Sequence, residues 1–369
     1  MSSSFPTAAE PSSRLLTKTK KPARIVKFLA RGIERGGNAN HYTRQLPGET
    51  SSWGDCRFVF DIDAQEYDWL AVYHDLSRRP WTFSQENLRC PPEKTVLITT
   101  EPSSITVYGT DYLRQYGMVI TSQEPWAVSH PHRIFTQPCL IWFYGFPFGE
   151  GPIRTYDEMK AMPPPSKSRP LSTVCSDRKG RLTLHSKRFE FTRKLKEALP
   201  ELDVFGHGVT PMSDKSVAVD PYCYHIAIEN HIYPNHLTEK MPDSFLGYAV
   251  PFYSGCPNAA DYFPPESFIP IDISNFPKSL DIIRSTLANN EYRDRLPYLI
   301  EARRRVLDEY NLFAVLDREI GLHDKKILST RNKGIIMNRQ TLRIKRPLSG
   351  LRSLAEKVLF KGRHTFGLV

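Results

Sequence analysis

Five short apolar runs recur through the first part of the chain: "RIVKFLA" (24–30), "CRFVFDID" (56–63), "YDWLAVYHDL" (67–76), "TVLITTEP" (95–102) and "YGMVITSQ" (116–123). Each has the length and the β-branched or aromatic content of a strand, and polar, helix-capable stretches separate several of them. That alternation predicts a parallel α/β sheet. The stretch "KAMPPPSKSRPLS" (160–172) interrupts it, and Pro163, Pro164, Pro165 and Pro170 there exclude regular structure and mark a linker. The pattern then restarts with "STVCSD", a helix around Lys187–Leu199, "LDVFGHG", "YHIAI", "SFIPIDIS" and helical segments at 276–290 and 292–316. A chain of 369 residues exceeds what one core usually organises. The expected organisation is a lead-in at 1–22, an α/β domain at 23–158, a linker at 159–171, a second α/β domain at 172–330 and a tail at 331–369. Two such domains leave a cleft, a common place for a ligand.

The net charge of +10 is unevenly placed: residues 1–30 carry +5 and residues 325–369 carry +11, which leaves −6 on the body. A core domain that grips nucleic acid does not have that distribution. Six cysteines, at 56, 90, 139, 175, 223 and 256, include no CxxC pair, so neither a zinc site nor a disulfide framework is expected. The polar, Pro/Ser-rich opening lacks a signal-peptide core, and no apolar run approaches the ~20 residues that cross a bilayer. A reducing, bacterial-type cytosol is the expected compartment.

Chemistry concentrates in "YHIAIENHIYPNHLTEKMPDSFLGYAVPFYSG" (224–255). An apolar strand ends there in Glu229–Asn230, and strand carboxyl ends are where open α/β sheets bind ligands. Thr238 reads as a helix N-cap, with Glu239, Lys240 and Met241 in the first turn, an arrangement suited to phosphate. Solvated loop charges are the alternative reading.

The series Glu229–Asn230, Thr238–Glu239–Lys240, "AVPFYSG" (249–255) and "PPESFIPID" (264–272) resembles the donor domain of the α-1,3/1,4-fucosyltransferases, glycosyltransferase family 10, most strongly over 170–290. The resemblance implies a GT-B-type α/β fold, with two Rossmann-like domains facing across a cleft and a basic helical tail beyond them. It implies inverting transfer of L-fucose from GDP-fucose to a glycan hydroxyl, without metal or other cofactor. It places the donor phosphates at Arg188 and Lys240, and sugar or ribose hydroxyls at Glu239. Glu229 and Asn230 would shape the pocket or orient its loop, while Thr238, His236 and Ser176 complete the donor set. Glu101, at the end of "VLITTEP", stands where the family has its proposed catalytic base. His236 and Leu237 differ from the family's usual pattern, which leaves a GT-B transferase with another nucleotide sugar as an alternative; a non-catalytic binding protein of the same fold is a second one, against which Glu101, Arg188 and Lys240 together argue.

Other signals read as ordinary structure. Asp61-Ile-Asp63 is a short acidic motif that can hold a divalent cation, but the TEK region favours a metal-free site. His130 and His132 lack a third ligand at useful spacing, and "FGHG" (205–208) marks a turn whose His207 and Gly208 lie near the donor by the resemblance. In the tail, Leu351, Leu354, Ala355, Val358 and Leu359 form one helical stripe, with Arg352, Lys357, Lys361 and Arg363 off it. Residues 340–363 are therefore expected either to lie on an anionic membrane or to pack the stripe on the body.

Overall fold

All five apolar runs become strands of one sheet in the computed structural model, which describes residues 24–33, 39–48, 50–76, 84–139, 141–175, 184–325 and 334–366. The strands of the first half are β1 (Arg24–Ala30), β2 (Ser52–Trp53), β3 (Cys56–Val59), β4 (Trp69–Tyr73), β5 (Gln85–Asn87), β6 (Thr95–Ile98), β7 (Met118–Thr121) and β8 (Arg133–Phe135). Seven of them form a sheet ordered β2-β3-β1-β4-β6-β7-β8, parallel except at the β2–β3 pair. Every residue of β4, β6 and β7 is buried, as parallel strands covered on both faces require. Two four-residue helices, α1 (Asn40–Thr43) and α2 (Thr110–Leu113), lie in the connections.

Helix α3 (Tyr156–Ala161), started by a Thr155–Glu158 capping box, leads to the second domain. There β9 (Arg169–Val174), β10 (Leu202–Phe205), β11 (Tyr222–Ile228), β12 (Val250–Ser254) and β13 (Ile269–Pro270) form an all-parallel sheet ordered β10-β9-β11-β12-β13. Helices α4 (His185–Ala198), α5 (Lys240–Leu246), α6 (Phe276–Asn289) and α7 (Tyr292–Asp308) accompany it. The linker ends earlier than expected, because Pro170 is the second residue of β9. A proline is tolerated at a strand's start, where one missing donor costs little.

The segment expected as one helix over 292–316 is broken. α7 stops at Asp308, and Asn311 caps α8 (Leu312–Asp324), accepting the Phe313 N–H at 2.9 Å while donating to the Gln45 carbonyl at 2.7 Å. α8 has left the second domain. Phe313, fully buried, sits 4.7 Å from the Phe58 ring and 5.7 Å from Phe28, and Val315, Leu316 and Ile320 join the same core. The expected domain limit at 330 is therefore corrected: from Asn311 onward the described chain packs on the first domain.

The tail continues there. β14 (Ile335–Met337) pairs antiparallel with β5, followed by α9 (Arg339–Lys345) and α10 (Pro347–Thr365). α10 docks through Phe360 against Trp126 at 4.9 Å, through Glu356 accepting from Thr110 Oγ1 at 2.7 Å, and through Arg352 paired with Asp111 at 2.6 Å. The leucine stripe does not pack on the body. Leu351, Leu354, Val358 and Leu359 are 65%, 60%, 67% and 58% exposed, because polar and aromatic contacts have taken the docking face instead.

Replacing Phe313 by Ala empties a site walled by three other phenylalanines, so it should cost about 3–5 kcal/mol. Urea unfolding at pH 7 should show a lower midpoint, with loss of the first domain's tertiary signal.

Candidate active site

The site starts from a buried carboxylate. β11 runs straight into Glu229, which is fully buried where the strand ends. One Glu229 oxygen accepts the Thr238 N–H at 2.9 Å, and the other accepts the Thr238 hydroxyl at 2.5 Å. Lys240 Nζ lies 3.3 Å from the same carboxylate and donates to Thr238 Oγ1 at 2.9 Å. The loop 230–238 is thereby folded back on its own strand, and Glu239 and Lys240 face the cleft. Thr238 is not the helix cap expected of it. Its hydroxyl is committed to Glu229, and Glu239 holds the cap position of α5.

Two cavities meet at these residues. One, of about 720 Å³, is walled by Arg188, His207, Lys215, His225, Glu239 and Lys240 among others, with Gly206 and Gly208 of the FGHG turn. Gly206 and Gly208 take φ of +138° and +79°, a bend that glycine makes without strain. The second cavity, of about 340 Å³, is walled by Tyr73, Glu101, Ile105, His236, Glu239 and Lys240. Asn230, Glu239 and Lys240 line both.

Opposed charges organise the seam. Lys240 reaches Glu229 and Glu239, both at 3.3 Å, and Lys215 reaches Asp243 at 2.7 Å and Glu239 at 3.5 Å. Burial opposes ionisation of Glu239, but Lys240 and Lys215 outweigh it and hold the carboxyl well below the usual range. Burial likewise pulls Lys240 down, yet Glu239 and Glu229 keep its pKa raised despite nearby Arg188. Arg188 differs. It donates to Asn230 Oδ1 at 2.9 Å, and its buried Nε has no hydrogen-bond partner among the described residues. Arg188 lines the larger cavity, and a guanidinium there is suited to an anion.

Across the smaller cavity stands Glu101, just beyond β6. Desolvation raises its pKa, the Glu239 charge adds to that, and Lys240 and Arg31 oppose it. Its carboxyl group lines this cavity together with Glu239 and Lys240.

Of the residues singled out in the sequence, Glu101, Arg188, Asn230, Glu239 and Lys240 line these two cavities. Glu229 orients the loop and lines neither cavity. His236 sits on the Glu101 side, its Nδ1 3.1 Å from Ser122 Oγ of the first domain, and does not line the larger cavity. Ser176 lies outside the described residues. Asp61 and Asp63 form an exposed turn in which Asp61 accepts the Asp63 N–H, and His130 bonds the Tyr116 carbonyl. Lys215, Asp243 and His225 were missed. The i,i+4 spacing of Glu239 and Asp243 on one helix face was the available signal for Asp243 and its cation partner.

His225 and His236 are both buried, and desolvation lowers each pKa to about 3. Their folded values lie below the unfolded ~6.5, so the stability they carry is complete above pH 6.5 and is lost as pH falls toward 3. At pH 5 each loss is about 2 kcal/mol. In His225→Asn, the stability difference between pH 7 and pH 5, measured by urea titration, should shrink by that amount.

Comparison with known proteins agrees with this geometry. A family model described as "Glycosyltransferase family 10 (fucosyltransferase) C-term" matches residues 165–294. A 3-galactosyl-N-acetylglucosaminide 4-alpha-L-fucosyltransferase FUT3 of Bos taurus is 24% identical over 236 residues, 61% of this chain and 58% of that protein. An alpha-(1,3)-fucosyltransferase FucT of Helicobacter pylori is 30% identical over 87 residues, 23% of this chain and 18% of that one. The chain thus spans less than two thirds of the length of these relatives. A crystal structure of an alpha1,3-fucosyltransferase with GDP-fucose shares the fold, with a TM-score of 0.50 at 17% identity over 90% of this chain and 96% of that one. The two facing α/β domains are a GT-B arrangement, and residues 165–294 are similar to the carboxy-terminal domain of glycosyltransferase family 10, the fucosyltransferases.

Proposed function

We propose that the protein is an inverting, metal-independent fucosyltransferase that moves L-fucose from GDP-fucose to a hydroxyl of a glycan acceptor. The carrying observation is that Glu101, its pKa raised, faces the Glu239–Lys240 pair across a cavity that adjoins the larger one. GDP would occupy the larger cavity, and the fucose would lie at the junction. Glu101 takes the proton of the acceptor hydroxyl as its oxygen attacks the anomeric carbon from the face opposite the nucleotide. The bond from that carbon to the β-phosphate oxygen breaks, and Arg188, Lys240 and Lys215 meet the charge left on GDP. These cations can do the neutralising otherwise asked of a divalent ion. Glu239, kept ionised by its two lysines, is an acceptor for sugar or ribose hydroxyls.

The acceptor in this reading is a glycan carried on lipid at an anionic membrane surface, of the kind used for bacterial surface polysaccharide, with the enzyme bound peripherally from the cytoplasm. Among the described residues no helix is long and apolar enough to cross a membrane. α10, however, presents Leu348, Leu351, Leu354, Val358 and Leu359 outward beside Lys345, Arg346, Arg352, Lys357 and Lys361. Such a face fits an anionic lipid surface by apolar burial and charge together. Its end is near the chemistry, since His364 Nε2 lies 2.8 Å from Ser103 Oγ, two residues from Glu101.

In a thermal-shift titration GDP should raise the melting temperature and UDP should not; stabilisation by UDP alone would point to another donor. Glu101→Gln should lower turnover of GDP-fucose at least ~100-fold with GDP affinity retained, and EDTA should leave the wild-type rate unchanged. The protein should co-sediment with vesicles containing phosphatidylglycerol, less so at high salt, and weakly with pure phosphatidylcholine. The triple change Leu351→Glu, Leu354→Glu, Val358→Glu should abolish that binding while leaving GDP affinity intact.

A further inference from the structure

The strand end that carries Glu101 is held by a side chain outside both cavities. His74 directly follows β4 at φ +71°, a left-handed conformation that histidine seldom adopts. Such strain persists only where the surroundings impose it, and it concentrates at functional sites. Here the surroundings are two arginines, a threonine and a tyrosine. His74 Nε2 lies 3.0 Å from Arg339 Nη2 and 3.1 Å from Arg31 Nη2. A guanidinium can only donate, so Nε2 accepts and the ring proton belongs on Nδ1. Nδ1 lies 2.8 Å from Thr100 Oγ1 and 2.9 Å from Tyr108 Oη, and Tyr108 Oη also accepts the Thr100 N–H at 3.0 Å. Thr100 immediately precedes Glu101. Arg339, delivered by α9, is itself fixed by buried Asp75 at 3.0 Å and lies 5.0 Å over the Tyr108 ring. Asp75 further accepts from Tyr112 Oη at 2.9 Å.

We infer that His74 is a positioning residue for the reaction: held as its Nδ1–H tautomer by Arg31 and Arg339, it clamps Thr100 and so aims the Glu101 carboxylate into the smaller cavity. The inference rests on Glu101 being the base. It gives the C-terminal segment a part in the chemistry, because Arg339 reaches the ring from a helix far along the chain. The imidazole touches neither donor nor acceptor and acts only through Thr100 and Tyr108. Among the described residues, the charged and titratable groups facing it are Arg31, Arg339, Tyr108 and, beyond them, Asp75 and Glu101.

The test separates ring from backbone. His74→Gly keeps the left-handed conformation without strain and deletes the ring. His74→Asn tolerates the same conformation and can restore a donor to Thr100. Turnover is read as GDP released from GDP-fucose with water as acceptor, and GDP affinity by calorimetry. His74→Gly should lower kcat about 100-fold, displace the acid limb of the pH–rate profile, and leave GDP affinity within about twofold. His74→Asn should recover at least about tenfold of that loss. In a Glu101→Gln background, His74→Gly should bring no further loss, since residues acting through one another are not additive. If Glu101→Gln is inactive while His74→Gly turns over within twofold of wild type, the positioning role is wrong and the base assignment stands. An equal further loss in the Glu101→Gln background would also overturn it. Full turnover by Glu101→Gln alone sinks the base assignment and this inference with it.

Discussion

The ion pair of Glu229 with Lys240, closed by Thr238, is the constraint on which the site depends. A fully buried carboxylate is expensive unless donors surround it, and this one has the Thr238 amide and hydroxyl, the Lys240 ammonium, and Tyr253 Oη at 3.4 Å. Because three of those donors lie nine to eleven residues downstream, satisfying Glu229 forces the intervening loop to return to the strand end. The chain around it is cut to fit. A Cβ on Gly255 would sit 2.4 Å from Glu229 Cγ, so only glycine lets β12 end this close to the carboxylate. The acidic end of β11 and the glycine after β12 are two halves of one packing requirement.

Built on that anchor, the cleft is electrically balanced before any ligand arrives. Lys215 and Lys240 are each engaged by carboxylates, Glu239 is shared between them, and Asp243 also accepts the backbone N–H groups of Phe143 and Tyr144 at 3.0 and 3.1 Å. Asp243 thus joins the charge network to the segment that connects the domains. Arg188 meets only the neutral Asn230 side chain and the Ile228 carbonyl among its described hydrogen-bond partners. The uneven sharing matters. The lysines are held in place by their partners, and the arginine keeps donor capacity for an anion.

Much of this was legible in the sequence, and the misses share a cause. Strand positions were readable because buried parallel strands are nearly continuous apolar runs, as in "WLAVY" and "TVLI". The Glu229–Lys240 block was readable because its residues are close in sequence and its spacing is family-specific. The role of Thr238 was misread because a threonine before a helix looks the same whether its hydroxyl caps that helix or satisfies a buried carboxylate. The break at Asn311 was misread because α7 and α8 both carry helical periodicity, and only the tertiary partner Gln45 reveals the turn. His74 left no local trace at all: its strained backbone and its arginine partners come from segments that no periodicity connects. The outward turn of the α10 stripe was equally hidden, since Phe360 and Glu356 hold the inner face through contacts with Trp126 and Thr110.

The return of α8 has a consequence for how the chain is made. Asn311 bonds the Gln45 carbonyl across a sequence separation of 266 residues, and Phe313 fills the centre of the first sheet's aromatic cluster. On a ribosome, the amino-terminal half therefore emerges with a hole in its interior. It must wait, partly assembled and exposing phenylalanines, until the whole second domain has been synthesised. Order of synthesis and order of completion are inverted: the lobe translated first is finished last, and in that interval it is the part of the molecule most in need of a chaperone.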